Sequence, residues 1–188
     1  MTTRSLLLAI LLALGVALPV PLGQFPGSVP DFVRASNGGI LLDAKPSFSE
    51  SEIYSRLEDY GAAGRANYFF RNLTVDMLLP FSVLPLLILL ARRATNRARP
   101  GRSIRLIILA LGFVYVAFDL LENASVVALL SNYPERLALL SGGLPYLTLI
   151  KRSASILALV LPYLAAVPVA TMMNIIHPVN IHFPPIAA

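Results

Sequence analysis

Asp119, Glu122 and Asn123 fall on one face of the apolar stretch AFDLLENASVVALL, at spacings of three and four residues. Two carboxylates one helical turn apart can donate and accept protons in the same reaction, which is general acid/base chemistry. Tyr115, four residues before Asp119, extends the face. The stretch lies inside an apolar run, residues 104–130, long enough to cross a bilayer. A carboxylate at that depth costs roughly 2.5–3.5 kcal/mol on insertion scales, so its default role is functional. Polar residues also glue helices together, at roughly 0.6 kcal/mol per hydrogen bond, but an Asp, a Glu, an Asn and, on the fourth span, a Lys (Lys151) exceed what gluing needs. Asp119 and Glu122 are therefore the candidate catalytic pair.

The elements that must position this pair follow from composition and hydropathy. The chain has 188 residues, 56% hydrophobic and only 13% charged, against about 25% charged in soluble domains. Four apolar segments, residues 5–22, 75–91, 104–130 and 147–176, approach or exceed the roughly 20 residues a span requires. They predict an all-α fold: one integral-membrane four-helix bundle, with one or two short external helices. Cysteine is absent, which excludes disulfides and thiolate chemistry. The two histidines, His177 and His182, lie in a Pro-rich tail, so no metal site is expected in the bundle and no cofactor is implied. The net charge of +5 comes largely from one stretch, so it reads as a topology signal and not as a nucleic-acid surface.

That stretch, residues 92–103, joins the second and third spans. It holds Arg92, Arg93, Arg97, Arg99 and Arg102 and no acid. The positive-inside rule makes it a cytoplasmic loop, and alternation places the N-terminus with Arg4 inside and residues 23–74 outside. A bacterial inner (plasma) membrane protein is expected. Lys151 and Arg152 near the outer end of the fourth span are a weaker opposing signal. The first span also has the short basic start and apolar core of a cleaved signal peptide, but its length and the following Pro19 and Pro21 favour an uncleaved helix.

Of the external segment, the half before residue 47 is rich in Pro, Gly and Asn and reads as loop. Ser49 with Glu52 predicts a capping box opening a helix through Asp59, with Ile53, Leu57 and Tyr60 as its apolar stripe. Gly61 and Gly64 should break or bend the chain. A second helix should then run directly into the second span. On it Arg65, Tyr68, Asn72 and Asp76 form one polar face. That face either solvates an interface, with Arg65 and Arg71 among lipid headgroups, or closes over the third-span cluster.

Depth suggests a partner for the carboxylates. Glu122 lies about 12 Å from the outer end of its span, and Lys151 about 10 Å from the outer end of the fourth if that begins at Leu144. Unpaired charges in lipid are costly, so Lys151 should pair with Glu122 or Asp119, with Asp76 completing a ring. Arg152, about 100° round the helix, is expected to snorkel to the headgroups. Pro80, Pro85, Pro162 and Pro168 interrupt the second and fourth spans, for packing or to line a cavity.

The segment YGAAGRANYFFRNLTVD, the intramembrane DLLEN and the later TLIKR together resemble a family of small bacterial four-helix integral membrane proteins. Its recurring elements are Y-G-x-x-G-R-x-x-Y, D-x-x-E-N, and a Lys after a Thr near the last span. The resemblance covers residues 50–152. It implies the fold and marks Gly64, Arg65, Tyr68, Asp76, Asp119, Glu122, Asn123 and Lys151, without implying an activity. A Trp common after the last Lys is Arg152 here.

Three functions compete. A membrane enzyme would use Asp119 and Glu122 on a lipid-like molecule in an outward-facing pocket, with Arg65, Tyr68, Asp76, Asn123 and Lys151 as binding residues. A proton-coupled transport component would use the same carboxylates as a relay, and would need a homo-oligomer to make a path. A structural or assembly protein would use them as interhelical glue. Membrane lipids are partners in all three.

Overall fold

A computed structural model of the chain describes residues 3–166. The predicted end of the fourth span, residues 167–176, and the tail with His177 and His182 lie outside the described residues. Among the described residues all regular structure is helical: α1 (Thr3–Ala17), α2 (Pro19–Leu22), α3 (Val29–Ala35), α4 (Glu50–Asp59), α5 (Gly61–Leu73), α6 (Val75–Ala98), α7 (Arg102–Asn132) and α8 (Ala138–Ala166). Four stretches are long and apolar enough to cross a membrane: Thr3–Leu22, Gly61–Ala98, Arg102–Asn132 and Ala138–Leu164.

Helices α6, α7 and α8 pack on one another, and α1 lies against α6. The buried residues of α1 are Ala9 and Ala13, one turn apart, so small side chains allow its close approach. The segment between α2 and α6 folds over one end of the bundle as a cap: α3 rests on α5, α5 on α7, and α4 on α8. The core under the cap joins Phe32, Leu42, Ile53 and Leu57 to Val126 and Leu129 of α7 and Leu144 of α8. The predicted stripe of Ile53, Leu57 and Tyr60 is thus buried against the bundle.

Several local readings need correction. The half expected to be loop contains α3. Its start is encoded as Ser-Val-Pro-Asp: Ser28 accepts from the Asp31 amide at 3.3 Å, and Pro30 sits in the first turn, where its missing N–H costs nothing. The capping box at α4 is half formed. Ser49 accepts from the Glu52 amide at 3.3 Å, but the Glu52 carboxylate takes the Ser47 hydroxyl at 2.6 Å, and that hydroxyl oxygen accepts from the Ser49 amide at 3.1 Å. Gly64 bends nothing. It lies inside α5, where a Cβ would meet the Ser36 backbone at 2.8 Å, so glycine is what lets α3 and α5 touch. The helix into the second span is interrupted at Thr74 (φ −118°, ψ −81°). The basic stretch 92–103 is mostly helical, since α6 continues to Ala98; Arg99 in the left-handed region (φ 48°), Pro100 and Gly101 make the turn. Finally, α8 begins at Ala138, well before residue 147, because its first turns pack on α4.

Candidate functional site

Helices α7 and α8 carry matching layers. Along α7, Tyr115 and Val116 belong to a mid-bundle core with Leu87, Ala154 and Ala158, while Val126, Leu129 and Leu130 belong to the core under the cap. Asp119, Glu122 and Asn123 fall between. Along α8, Leu144 and Ala154 bracket Thr148 and Lys151 in the same way. The charged layer is therefore walled by apolar packing above and below. Its carboxylates are nearly inaccessible, Asp119 being 4% and Glu122 1% exposed, while Lys151 is half-buried.

Within this layer the Lys151 ammonium donates to Glu122 Oε2 and stands 3.2 Å from Asp119 Oδ1. The expected pairing is present, and Lys151 takes both carboxylates. Thr148 Oγ1 lies between Glu122 Oε1, to which it donates, and the Leu144 carbonyl at 3.1 Å. Asn123 Nδ2 reaches Asp119 Oδ2 at 3.3 Å and the Asp76 backbone carbonyl at 3.2 Å, linking α7 to α6. Tyr115 is buried on the same face and packs in the mid-bundle core.

The Asp76 carboxylate is held by Arg71, not by Lys151. Arg71 is 5% exposed; Nη2 donates to Asp76 Oδ1 and Nη1 to the Gly27 carbonyl, each at 2.8 Å. The reading of Arg71 as a headgroup contact is thus overturned: the break at Thr74 turns Asp76 back toward α5 and gives the guanidinium an internal partner. Gly27 has φ +82°, a conformation open to glycine, and its amide donates to Asp31 Oδ2 at 3.0 Å. Asn67 donates to the same oxygen at 2.6 Å. The Gly27 amide first, then Asn67, hold the Asp31 carboxyl below its ordinary range. The start of the cap is thereby tied to α5 from two sides.

Tyr68 is 1% exposed and serves the cap. Its hydroxyl accepts from the Leu42 amide at 3.1 Å and donates to Asp43 Oδ1 at 3.4 Å, and its ring packs on Phe32 and Tyr60. Arg152 is exposed and donates to the Asp43 carbonyl and to the Ala44 carbonyl at 3.2 Å, pinning residues 43–44 to α8. Unmatched backbone acceptors in the 40–46 turn draw it there. Arg56 grips the same turn through the Ile40, Leu41 and Lys45 carbonyls.

Of the candidate residues, the structure brings together Asp119, Glu122, Asn123 and Lys151, with Asp76 joined through its backbone. Tyr68 stays in the cap, where its hydroxyl meets Asp43, whose carbonyl Arg152 holds. Arg65 is elsewhere: it donates to the Leu57 carbonyl at 2.9 Å and stacks 4.2 Å over the Tyr133 ring. Sequence reasoning missed Thr148, Asp43 and the inward turn of Arg71. Thr148 had a usable signal, lying three residues before Lys151 on the same helical face. Asp43 had none, because an acid in a Gly/Pro-rich turn is ordinary. Four cavities of 210 to 310 Å³ are all lined by other residues, while the carboxylates meet Lys151 directly. Among the described residues no group of His, Cys, Asp and Glu is arranged to hold a metal ion. Comparison with known protein families, curated proteins and solved structures found no match.

Proposed function

We propose that the chain is a multi-pass protein of the bacterial inner membrane, with its N-terminus and the Arg-rich turn in the cytoplasm and the cap outside. In this reading Asp119 and Glu122 form an acid/base site for a lipid-like molecule, with Lys151 and Asn123 orienting its anionic or carbonyl group. A substrate reaches the site from the outer leaflet, past residues 43–44, which Arg152 ties to α8. α1 serves as the first span, supported by its packing on α6.

One observation carries the proposal: a single ammonium shared by two carboxylates between two apolar layers. Helix association needs only neutral hydrogen bonds, whereas desolvating three charges is costly. Glu122 lies ten positions from Asn132, about 15 Å from the cap end of α7. A relay reading is disfavoured by the sequence in the other direction. From Leu106 to Val114 the helix is apolar, since LIILALGFV offers no side-chain donor or acceptor.

The test is native mass spectrometry with lipid identification on the purified protein, wild type beside Glu122→Gln. The variant should stay folded, because Lys151 keeps Asp119. Wild type is expected to retain a specific apolar molecule that the variant loses or holds in altered form. Equal stability with only bulk phospholipid on both would mean the cluster is structural.

A further inference from the structure

A cavity of about 310 Å³ opens between α6 and α8 at the end of the bundle away from the cap, bounded by Leu90, Arg93, Arg97, Leu159, Pro162 and Tyr163. We propose that it binds an anionic phospholipid, the phosphate on Arg93 and Arg97 and an acyl chain along Leu90 and Leu159. The inference rests on the membrane reading above, and concerns the opposite leaflet from the carboxylate site.

The argument is charge complementarity. Arg93 and Arg97 are one helical turn apart, so both guanidiniums reach the same groove. Among the described residues neither has an ion pair or a side-chain hydrogen bond, unlike Arg34, Arg56, Arg65, Arg71 and Arg152. Among the described residues no Asp or Glu side chain pairs with them. The chain has ten acidic residues, and the sequence places none between Asp76 and Asp119 and none after Glu135. Asp119 is seventeen positions from Arg102, about 25 Å along α7. The described residues leave both guanidiniums without a counter-charge, and an anionic headgroup at a cytoplasmic surface supplies one. The walls fit the rest of such a molecule. Leu159 is 48% exposed and Tyr163 is 71% exposed, leaving an apolar side chain for a hydrocarbon tail and an aromatic ring at headgroup level.

The test uses the full chain, stripped of lipid in detergent and offered an equimolar mixture of phosphatidylglycerol and phosphatidylcholine, with retained lipid read by native mass spectrometry. Wild type should prefer phosphatidylglycerol by on the order of tenfold. Arg93→Gln with Arg97→Gln should bring the ratio near one. Arg102→Gln with Arg105→Gln removes the same charge from exposed positions at the same end and should leave the preference intact. Leu159→Trp keeps both arginines but fills the groove, and should also abolish the preference; its exposed position spares the fold. Equal loss in the Arg102/Arg105 control would overturn the proposal in favour of general surface charge. A preference surviving Leu159→Trp would overturn the groove as the seat. Equal retention of both lipids by wild type would overturn the groove alone. A chain soluble without detergent and holding neither lipid would overturn the membrane reading and this inference with it.

Discussion

Replacing Lys151 with Met is expected to destabilise the protein by about 3–5 kcal/mol, since it leaves two buried carboxylates without their cation. Among the described residues Asp119 and Glu122 have no other cation in contact, and they lie between apolar layers on both sides. Water cannot readily replace the ammonium there. The expected readout is a large fall in the thermal midpoint of helical circular dichroism in detergent, or failure to accumulate folded protein. The companion variant is Lys151→Met with Asp119→Asn and Glu122→Gln. With all three charges gone no ion is left unpaired, and most of the lost stability should return. A charge-free protein that is stable but retains no specific lipid would separate the role in chemistry from the role in packing. Unchanged stability in Lys151→Met alone would mean that the ammonium does not occupy this site.

Arg71→Met should be nearly as damaging, by about 3 kcal/mol, the lower end of the range for a broken buried pair. Asp76 keeps a little solvent, its side chain being 17% exposed, which relieves part of the penalty. The loss should be local before it is global. Arg71 holds the Gly27 carbonyl, so without it the start of the cap loses its deepest anchor while α6, α7 and α8 keep their contacts. Limited trypsin digestion reads this directly, because Arg34, Lys45 and Arg56 all lie in the cap. Cleavage there should accelerate strongly in the variant, with the bundle fragments surviving. A digestion rate equal to wild type would show that the Gly27 and Asp76 contacts do not secure the cap.

The two arginines flanking the cap show what pattern can and cannot reveal. Asp119, Glu122 and Asn123 were legible because a charge inside an apolar run stands out whatever surrounds it. Lys151 followed from depth alone. Arg71 and Arg152 sit where a helix passes from polar to apolar surroundings, and there helical spacing assigns a face without saying what covers it. What covers it is the 23–60 segment, whose turns are set by backbone contacts to its own Arg56 and to Tyr68 and Arg152 from later in the chain. Ser28, Pro30 and Asp31 encode the start of α3, but the Pro and Gly residues on either side carry the stronger loop signal. The helical extent of the Arg-rich turn follows from the good helix propensity of Arg and Ala, which charge counting overlooks.

The proposed orientation puts the cap and the carboxylate site outside and the arginine end inside, and a chain without cysteine lets single cysteines report it. Single cysteines would be placed at Glu58, exposed on α4, and at Gly101, where a Cβ meets nothing within 4 Å. Intact cells would then be treated with a membrane-impermeant maleimide. Labelling is expected at position 58 in intact cells and at position 101 only after the membrane is opened. Labelling at 101 but not at 58 in intact cells would invert the topology and contradict the outward-facing site.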